Sequence, residues 1–436
     1  MLKRTSNQLS VFSSLEDMLN HNHPLYKLGN KINWRRFEDS FSPLYCSTNG
    51  RPAHPIRLMC GLLILKHLRN ISDESVVLQW SENAYYQYFC GQLEFLPTEP
   101  CEASDLVHFR NRIGEEGMEV ILAESIRVNT ENDDDDDHFN TAFIDSTVQE
   151  KNVTYPTDAK LHKKIINRVL KIVREKKLPL RQSCQRTLKA ISRDQRFRNH
   201  PGNHKKAVKA DRSLRTIAGR LVRELDRNLP DKKGYEKMFE LFYKVLSQKR
   251  NSRDKTYSLP EPEVQCISKG KEHKKYEFGN KASFIRSLSG IILAAVSFRN
   301  EYDGHTIEAS LQQTERMTGR RIDNLAGDRG YRGTKQVGTT RILIPQAPKD
   351  KDRYYQKKKK HKLFCKRAGI EPTIGHLKSD YRLSRNFYKG VKGDAINIML
   401  ATAAYNFKRT MRVLLCFINN ITEKLNWDNR TVESAF

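Results

Sequence analysis

Thr141-Ala142-Phe143-Ile144-Asp145-Ser146-Thr147-Val148 is short, apolar and rich in β-branched residues, the character of a strand buried in a sheet, and it carries one carboxylate, Asp145. A strongly cationic segment follows it, and further strand-like stretches return only after residue 260. One strand before a helical insert and several after it predict an α/β fold, a mixed sheet flanked by helices and interrupted by a basic insertion.

Upstream, the segment 131–140 contains the run Asp133 to Asp137. Consecutive carboxylates on a chain point in all directions, so the run reads as a solvated linker rather than a metal cage. Before it, Ile56, Leu58, Met59, Leu62, Leu63, Ile64, Leu65 and Leu68 predict a buried helix, Val76 to Phe89 a second, and a third begins near Ser104 as its cap. Residues 1–130 therefore read as an all-helical N-terminal domain. The polar turn Asn70-Ile71-Ser72-Asp73 between the first two helices suits a DNA-binding helix-turn-helix and suits a plain packed hairpin as well.

Downstream, residues 151–250 hold 29 Lys and Arg against 9 Asp and Glu, which is +20 of the chain's net +27. Leu161, Ile165, Ile166, Val169, Leu170, Ile172 and Val173 recur at helical spacing among these cations. Amphipathic helices with a cationic face follow, and 151–260 reads as a mainly helical insertion suited to phosphate contact. After Leu259-Pro260-Glu261-Pro262, strands are expected around Phe278–Leu288, Gly290–Phe298, Ile322–Ala326 and Arg341–Ile344, with a helix over Thr306–Thr318. The first two strands are nearly contiguous and should pair as a hairpin around Ser289-Gly290. A last helix, Asp394 to Ile421, is expected to cover the sheet. Residues 141–150 and 261–420 thus make the two parts of one core, and 421–436 a C-terminal tail.

The charge points to a polyanion as partner, and nucleic acid is the natural one. The eight cysteines show no C-x-x-C pair, so reduced thiols are expected in place of a zinc finger, and a zinc-dependent enzyme lacks its ligand spacing. Nothing near Met1 resembles a signal peptide, and Gly290 to Phe298, among the longest apolar stretches, falls short of the ~18 residues of a membrane span. A soluble protein of the cytoplasm, associated with the nucleoid and with no membrane partner, is expected.

Three acids could do chemistry. Asp145 ends an apolar strand and is followed by small hydroxyl residues. Asp328 ends Ile322-Asp323-Asn324-Leu325-Ala326-Gly327-Asp328 between Gly327 and Gly330, which leave backbone room. Either acid, taken singly, is equally a strand-end turn former. Glu371 stands in Phe364-Cys365-Lys366-Arg367-Ala368-Gly369-Ile370-Glu371-Pro372-Thr373-Ile374-Gly375-His376-Leu377-Lys378, with Lys378 seven residues on and so on the same helical face. Arg367 shares that face if the helix already runs there, although Pro372 favours a first turn and a nearby start. The cations could hold DNA phosphates, or Arg367 and Glu371 could form an ordinary helical ion pair. Cutting a phosphodiester calls for an activated nucleophile and a neutralised leaving oxygen. Two divalent ions held by carboxylates from separate rigid elements supply both.

At these residues the sequence resembles the DDE transposases of bacterial insertion sequences, specifically the insertion sequence 5 family within the insertion sequence 4 group. The group's Y-x2-R-x3-E-x6-K signature is matched in spacing by Phe364, Arg367, Glu371 and Lys378. Asp328-Arg329-Gly330-Tyr331 resembles the D-x-G-Y motif, and Asp145-Ser146-Thr147 the first-acid motif. Tyr155 to Leu161, Tyr276-Glu277-Phe278-Gly279 and Tyr302-Asp303-Gly304-His305 also have the family's look. One residue departs: Phe364 keeps the signature ring but lacks its hydroxyl.

The resemblance implies an RNase H-like fold with Asp145, Asp328 and Glu371 gathered around two Mg²⁺ ions, Mn²⁺ being a substitute. It implies DNA contacts from Arg367, Lys378, Arg329 and Tyr331. The activity implied is cleavage at the terminal inverted repeats of a mobile element and joining of the ends to target DNA, both double-stranded, by a homodimer or larger assembly. The alternatives are an RNase H-like nuclease or a DNA-binding protein without strand transfer.

Overall fold

Alternation along β1, Thr141–Lys151, sends Ala142 and Ile144 to one face of a sheet and Phe143 to the other, and all three are fully buried. The computed structural model describes residues 14–46, 52–131, 137–249, 251–268, 275–299, 301–346 and 353–433. They divide into two compact units, one of Met1–Glu150 with Lys281–Phe436, the other of Lys151–Asn280.

The remaining strands are β2 Gln265–Ser268, β3 Tyr276–Ser287, β4 Ile292–Phe298, β5 Asn324–Ala326, β6 Gln336–Val337, β7 Thr340–Leu343 and β8 Arg385–Asn386. In the first unit the order is β3-β1-β5-β7-β6, with β4 beside β3 and β8 beside β1. β1, β5 and β7 run parallel, whereas β3 with β4 and β6 with β7 are antiparallel. The architecture is mixed α/β. The hairpin expected at Ser289-Gly290 is present, and its turn needs the positive φ of 100° that Gly290 adopts.

One sheet face meets the helices. Ala142, Ile144, Leu325 and Ile342 join a core with Leu58, Leu62, Ile121, Ile398 and Phe407, so the N-terminal helices, the sheet and the last helix share one interior. The Ala103–Thr130 helix packs along the Gly390–Glu433 helix, and the expected Thr306–Thr318 helix packs on β4.

Several expectations are corrected locally. The helix expected over Val76–Phe89 is two, Asp73–Glu82 and Ala84–Phe89, because Asn83 takes extended backbone and its side chain accepts the Tyr86 N–H at 3.1 Å. Ser104 lies inside its helix; Asp105 instead accepts the Glu102 N–H at 3.0 Å. Of the acidic segment, 132–136 lie outside the described residues, and Asp137–Asn140 is helical up to β1. The final helix runs from Gly390 to Glu433, past the tail boundary expected at 421, since neither Gly nor Pro interrupts it after Asp394.

The second unit has its own core, in which Leu161, Ile165, Ile166 and Val169 of the Asp158–Glu175 helix pack with Leu214, Leu221 and Phe242. Their Lys and Arg neighbours remain at the surface, as the cationic-face reading requires. The unit extends past residue 260 to Asn280, because β2 pairs antiparallel with the Tyr276–Gly279 end of β3. Among the described residues, no helix is long and apolar enough to cross a membrane.

Candidate active site

The second sheet face carries the three acids. Phe143 of β1, Ala326 of β5 and Ile370 form a fully buried apolar cluster, with Leu343, Leu363 and Phe364 packed around it. β1 and β5 are parallel neighbours whose register pairs Phe143 with Ala326. Two residues beyond that pair in each segment stand Asp145, still within β1, and Asp328, just past the end of β5. Glu371 directly follows Ile370 in the first turn of the Ile370–Asp380 helix. A shared apolar floor thus puts three carboxylates remote in sequence into one neighbourhood, near enough that Asp328 and Glu371 act on Asp145 through their charge.

Each aspartate is fixed by a nearby backbone N–H. Asp145 accepts from Ser146 at 2.8 Å and Asp328 from Gly330 at 2.8 Å. A Cβ at Gly330 would lie 2.9 Å from the Asp328 carboxylate oxygen, so any larger residue there would push that carboxylate aside. Asp145 is 19% exposed and Glu371 66%. Burial pushes the Asp145 carboxyl up to about 6; the Ser146 N–H and Arg367 oppose this, and Asp328 and Glu371 add to it as like charges.

Arg367 ends the Tyr354–Arg367 helix, with its guanidinium 3.8 Å from Asp145 and 3.6 Å from Glu371. The helix breaks at Ala368-Gly369 before the next one starts, and Pro372 falls in that next helix's first turn, the place such a residue favours. The ion pair with Glu371 therefore forms across a helix junction. Phe364 packs its ring against the floor, as its retained aromatic character suggested.

Lys378 is half-buried on the Glu371 helix, and Arg329 is exposed just after Asp328. Tyr331 is different. At 1% exposure its ring is core, closing over Gly327, where a Cβ would meet that ring at 3.0 Å. The DNA contact expected of Tyr331 is corrected accordingly, because its ring offers no accessible surface. The Tyr302-Asp303-Gly304-His305 turn lies alongside, its Tyr302 hydroxyl donating to the Arg332 carbonyl at 3.2 Å and Asp303 paired with Lys281 at 2.9 Å.

Arg286 escaped the sequence reading. Its guanidinium lies 3.4 Å from where a Cβ on Gly369 would be, immediately behind the start of the Glu371 helix. It sits in β3, and no spacing to an acid marks it.

The donor chemistry suits a hard divalent cation, since all three groups are carboxylates and Asp328 and Glu371 act on Asp145 as like charges, a repulsion that a cation would relieve. Among the described residues no three His, Cys, Asp or Glu already form a metal cage. Arg367 supplies the positive charge between Asp145 and Glu371 instead.

Two family models match the chain, "Transposase domain (DUF772)" over residues 13–112 and "Transposase DDE domain" over 247–407. A protein of Rhizobium meliloti described as "Uncharacterized protein ORF8 in nfe locus" is 36% identical over 179 residues, covering 40% of this chain and 84% of that protein. No solved structure matches.

Proposed function

Because the chain belongs to the DDE transposases of insertion sequences, we propose that it cleaves DNA at the terminal inverted repeats of an element and joins the freed ends to target DNA. What supports this most is the register that pairs Phe143 with Ala326, two residues short of Asp145 and Asp328, with Glu371 rising from the same apolar floor. The finer assignment follows the motifs: an RNase H-like core and the insertion sequence 5 family of the insertion sequence 4 group, with Phe364 in the place of the signature tyrosine.

In this reading Asp145, Asp328 and Glu371 hold divalent ions, Mg²⁺ or Mn²⁺ in its stead. Two such ions, when bound, make the attacking water more acidic and neutralise the departing oxygen. The backbone N–H groups of Ser146 and Gly330 keep two carboxylates oriented, so little reorganisation is needed during reaction. Arg367 balances Asp145 and Glu371 and, with Lys378 and exposed Arg329, positions phosphates.

The first step adds water to phosphorus and breaks its bond to the 3′-oxygen at the element end, leaving a 3′-hydroxyl. That hydroxyl then attacks a target phosphorus, whose own bond to the 3′-oxygen breaks. One phosphodiester replaces another, so no external energy source is needed. The helices before residue 130 would recognise the terminal repeats, and the basic insertion would clamp DNA. Two ends must be handled together, which calls for a homodimer or larger assembly.

Purified protein, labelled terminal repeats and Mg²⁺ should give strand cleavage that disappears in Asp145→Asn, Asp328→Asn and Glu371→Gln. Cleavage surviving in all three variants would sink the assignment. Cleavage without joining to a target plasmid would instead indicate a nuclease of the same fold.

A further inference from the structure

The Tyr354–Arg367 helix leads directly into the acids, yet none of its residues is buried. It carries Lys357, Lys358, Lys359, Lys360, Lys362, Lys366 and Arg367, and no Asp or Glu. Like charges three and four residues apart repel along a helix, so this segment costs folding energy wherever no polyanion lies against it. At its start Tyr354 and Tyr355 stand 79% and 73% exposed, two adjacent rings turned largely to solvent.

Along one side of this helix runs a groove of about 460 Å³ shared with the end of β7, within the roughly 300–1,000 Å³ that suits small-molecule groups such as a base. Its lining joins apolar Leu343, Ile344 and Phe364 to the cations Lys357 and Lys360, with His361 beside them. Leu343 and Phe364 also belong to the cluster beneath the acids, so the groove continues the active-site floor.

We propose that this helix and groove bind an unpaired strand of DNA next to the point of cleavage, which rests on the transposase reading above. A duplex offers phosphates to lysines but hides its base faces. It would leave both the apolar lining and the exposed tyrosine rings unused. An unpaired strand presents phosphates and base faces together, the combination that a cationic groove recognises when exposed aromatics stand on the helix bordering it, as Tyr354 and Tyr355 do here. Recognition is by stacking and charge, hence tolerant of sequence.

The test uses full-length protein in EDTA, where no cutting occurs, with fluorescence anisotropy on three probes: a blunt duplex, the same duplex with a short unpaired 3′ tail, and oligo-dT. The intact protein is expected to bind the tailed duplex and oligo-dT more tightly than the blunt duplex. The double variant Tyr354→Ala/Tyr355→Ala should lose roughly ten-fold on the unpaired probes and change little on the blunt one. Lys357→Gln/Lys360→Gln should flatten the salt dependence on the unpaired probes, by about one unit of slope for each phosphate no longer held. Both tyrosines are at the surface, so their loss should not unfold the chain, and circular dichroism checks this. Equal affinity for all three probes, or a tyrosine variant that weakens all three alike, overturns the proposal. Glu371→Gln should keep the preference while losing cleavage, so failure here and failure of the catalytic assignment give different results.

Discussion

The Arg367 guanidinium lies 3.8 Å from the Asp145 carboxylate, across the junction between two helices. It also reaches Glu371 at 3.6 Å, so one cation serves two acids. For Asp145 it is one of two influences that oppose the effect of burial. Arg367→Gln should therefore raise the Asp145 carboxyl further above about 6, and the acid limb of the cleavage pH–rate profile should move to higher pH. Arg367→Lys should recover part of this shift, since it restores a charge but not the planar fork. A profile unmoved by Arg367→Gln would show that Asp145 does not govern that limb.

A carboxyl whose folded value exceeds its ordinary 3.8 holds its proton longer in the folded chain than in the unfolded one. Its contribution therefore favours folding below pH 3.8, fades as pH rises toward about 6, and is lost above that. Two units correspond to roughly 3 kcal/mol at about 1.4 kcal/mol per unit. Asp145→Asn, neutral at all these values, should accordingly be more stable than the parent at pH 7.5 in EDTA, by about 1–3 kcal/mol. The gain should shrink at pH 4.5. Urea unfolding at both values measures it, and a variant less stable than the parent at pH 7.5 would contradict the burial account.

The parts of this site that were legible are those fixed by local pattern. Phe143-Ile144-Asp145 announces a buried strand carrying an acid, although the strand does not end there as expected but runs on through Asp145 to Lys151, and the pairing of Arg367 with Glu371 survives the helix break. Pro372 marked the new helix start correctly. Less was visible where tertiary contact decides. Arg286 reaches the Glu371 helix from a distant strand, and nothing near it in sequence says so. Tyr331 sits in a motif with charged and small neighbours, which suggests a surface, yet Gly327 leaves room for its ring to turn inward. The break at Asn83 was hidden by apolar residues that run through it, since pattern alone does not register an extended backbone capped by its own side chain.

A second buried charge cluster, away from the acids, allows a stability prediction. Asp73 accepts two hydrogen bonds from Arg110, at 2.7 and 2.8 Å, and one from Lys66 at 2.8 Å. Lys66 also donates to the Tyr388 hydroxyl at 2.9 Å, and both cations lie over the Tyr388 ring. Removing the acid leaves two cations with 4% and 5% of their side chains exposed and no counter-charge from Asp73. Asp73→Asn should cost about 3–5 kcal/mol in chemical denaturation. Replacing Lys66 and Arg110 with Met in the Asp73→Asn background should recover much of that loss, because no stranded charge then remains. A double-mutant cycle that shows no coupling would mean the three groups do not act as one network.

Ile370 is fully buried between Phe143 and Ala326, and Glu371 is the next residue in the chain. Ile370→Ala would open a cavity under the helix start, with a cost of about 2–5 kcal/mol that depends on how far Phe364 and Leu363 relax into it. Such relaxation carries Glu371 with it, because one turn of helix moves as a unit. Asp145 and Asp328 are anchored separately, by the N–H groups of Ser146 and Gly330, and should stay where they are. The substitution should thus misplace one acid of three. Cleavage should fall by more than the folded fraction explains, and the Mg²⁺ concentration giving half-maximal cleavage should rise. Ile370→Val, which removes a single methylene, should cost about 0.5–1.5 kcal/mol and leave the Mg²⁺ dependence nearly unchanged. If Ile370→Ala instead lowers stability while the folded protein cuts at the parental rate and Mg²⁺ requirement, the apolar floor does not position Glu371, and the acid must be held by Arg367 or by DNA itself.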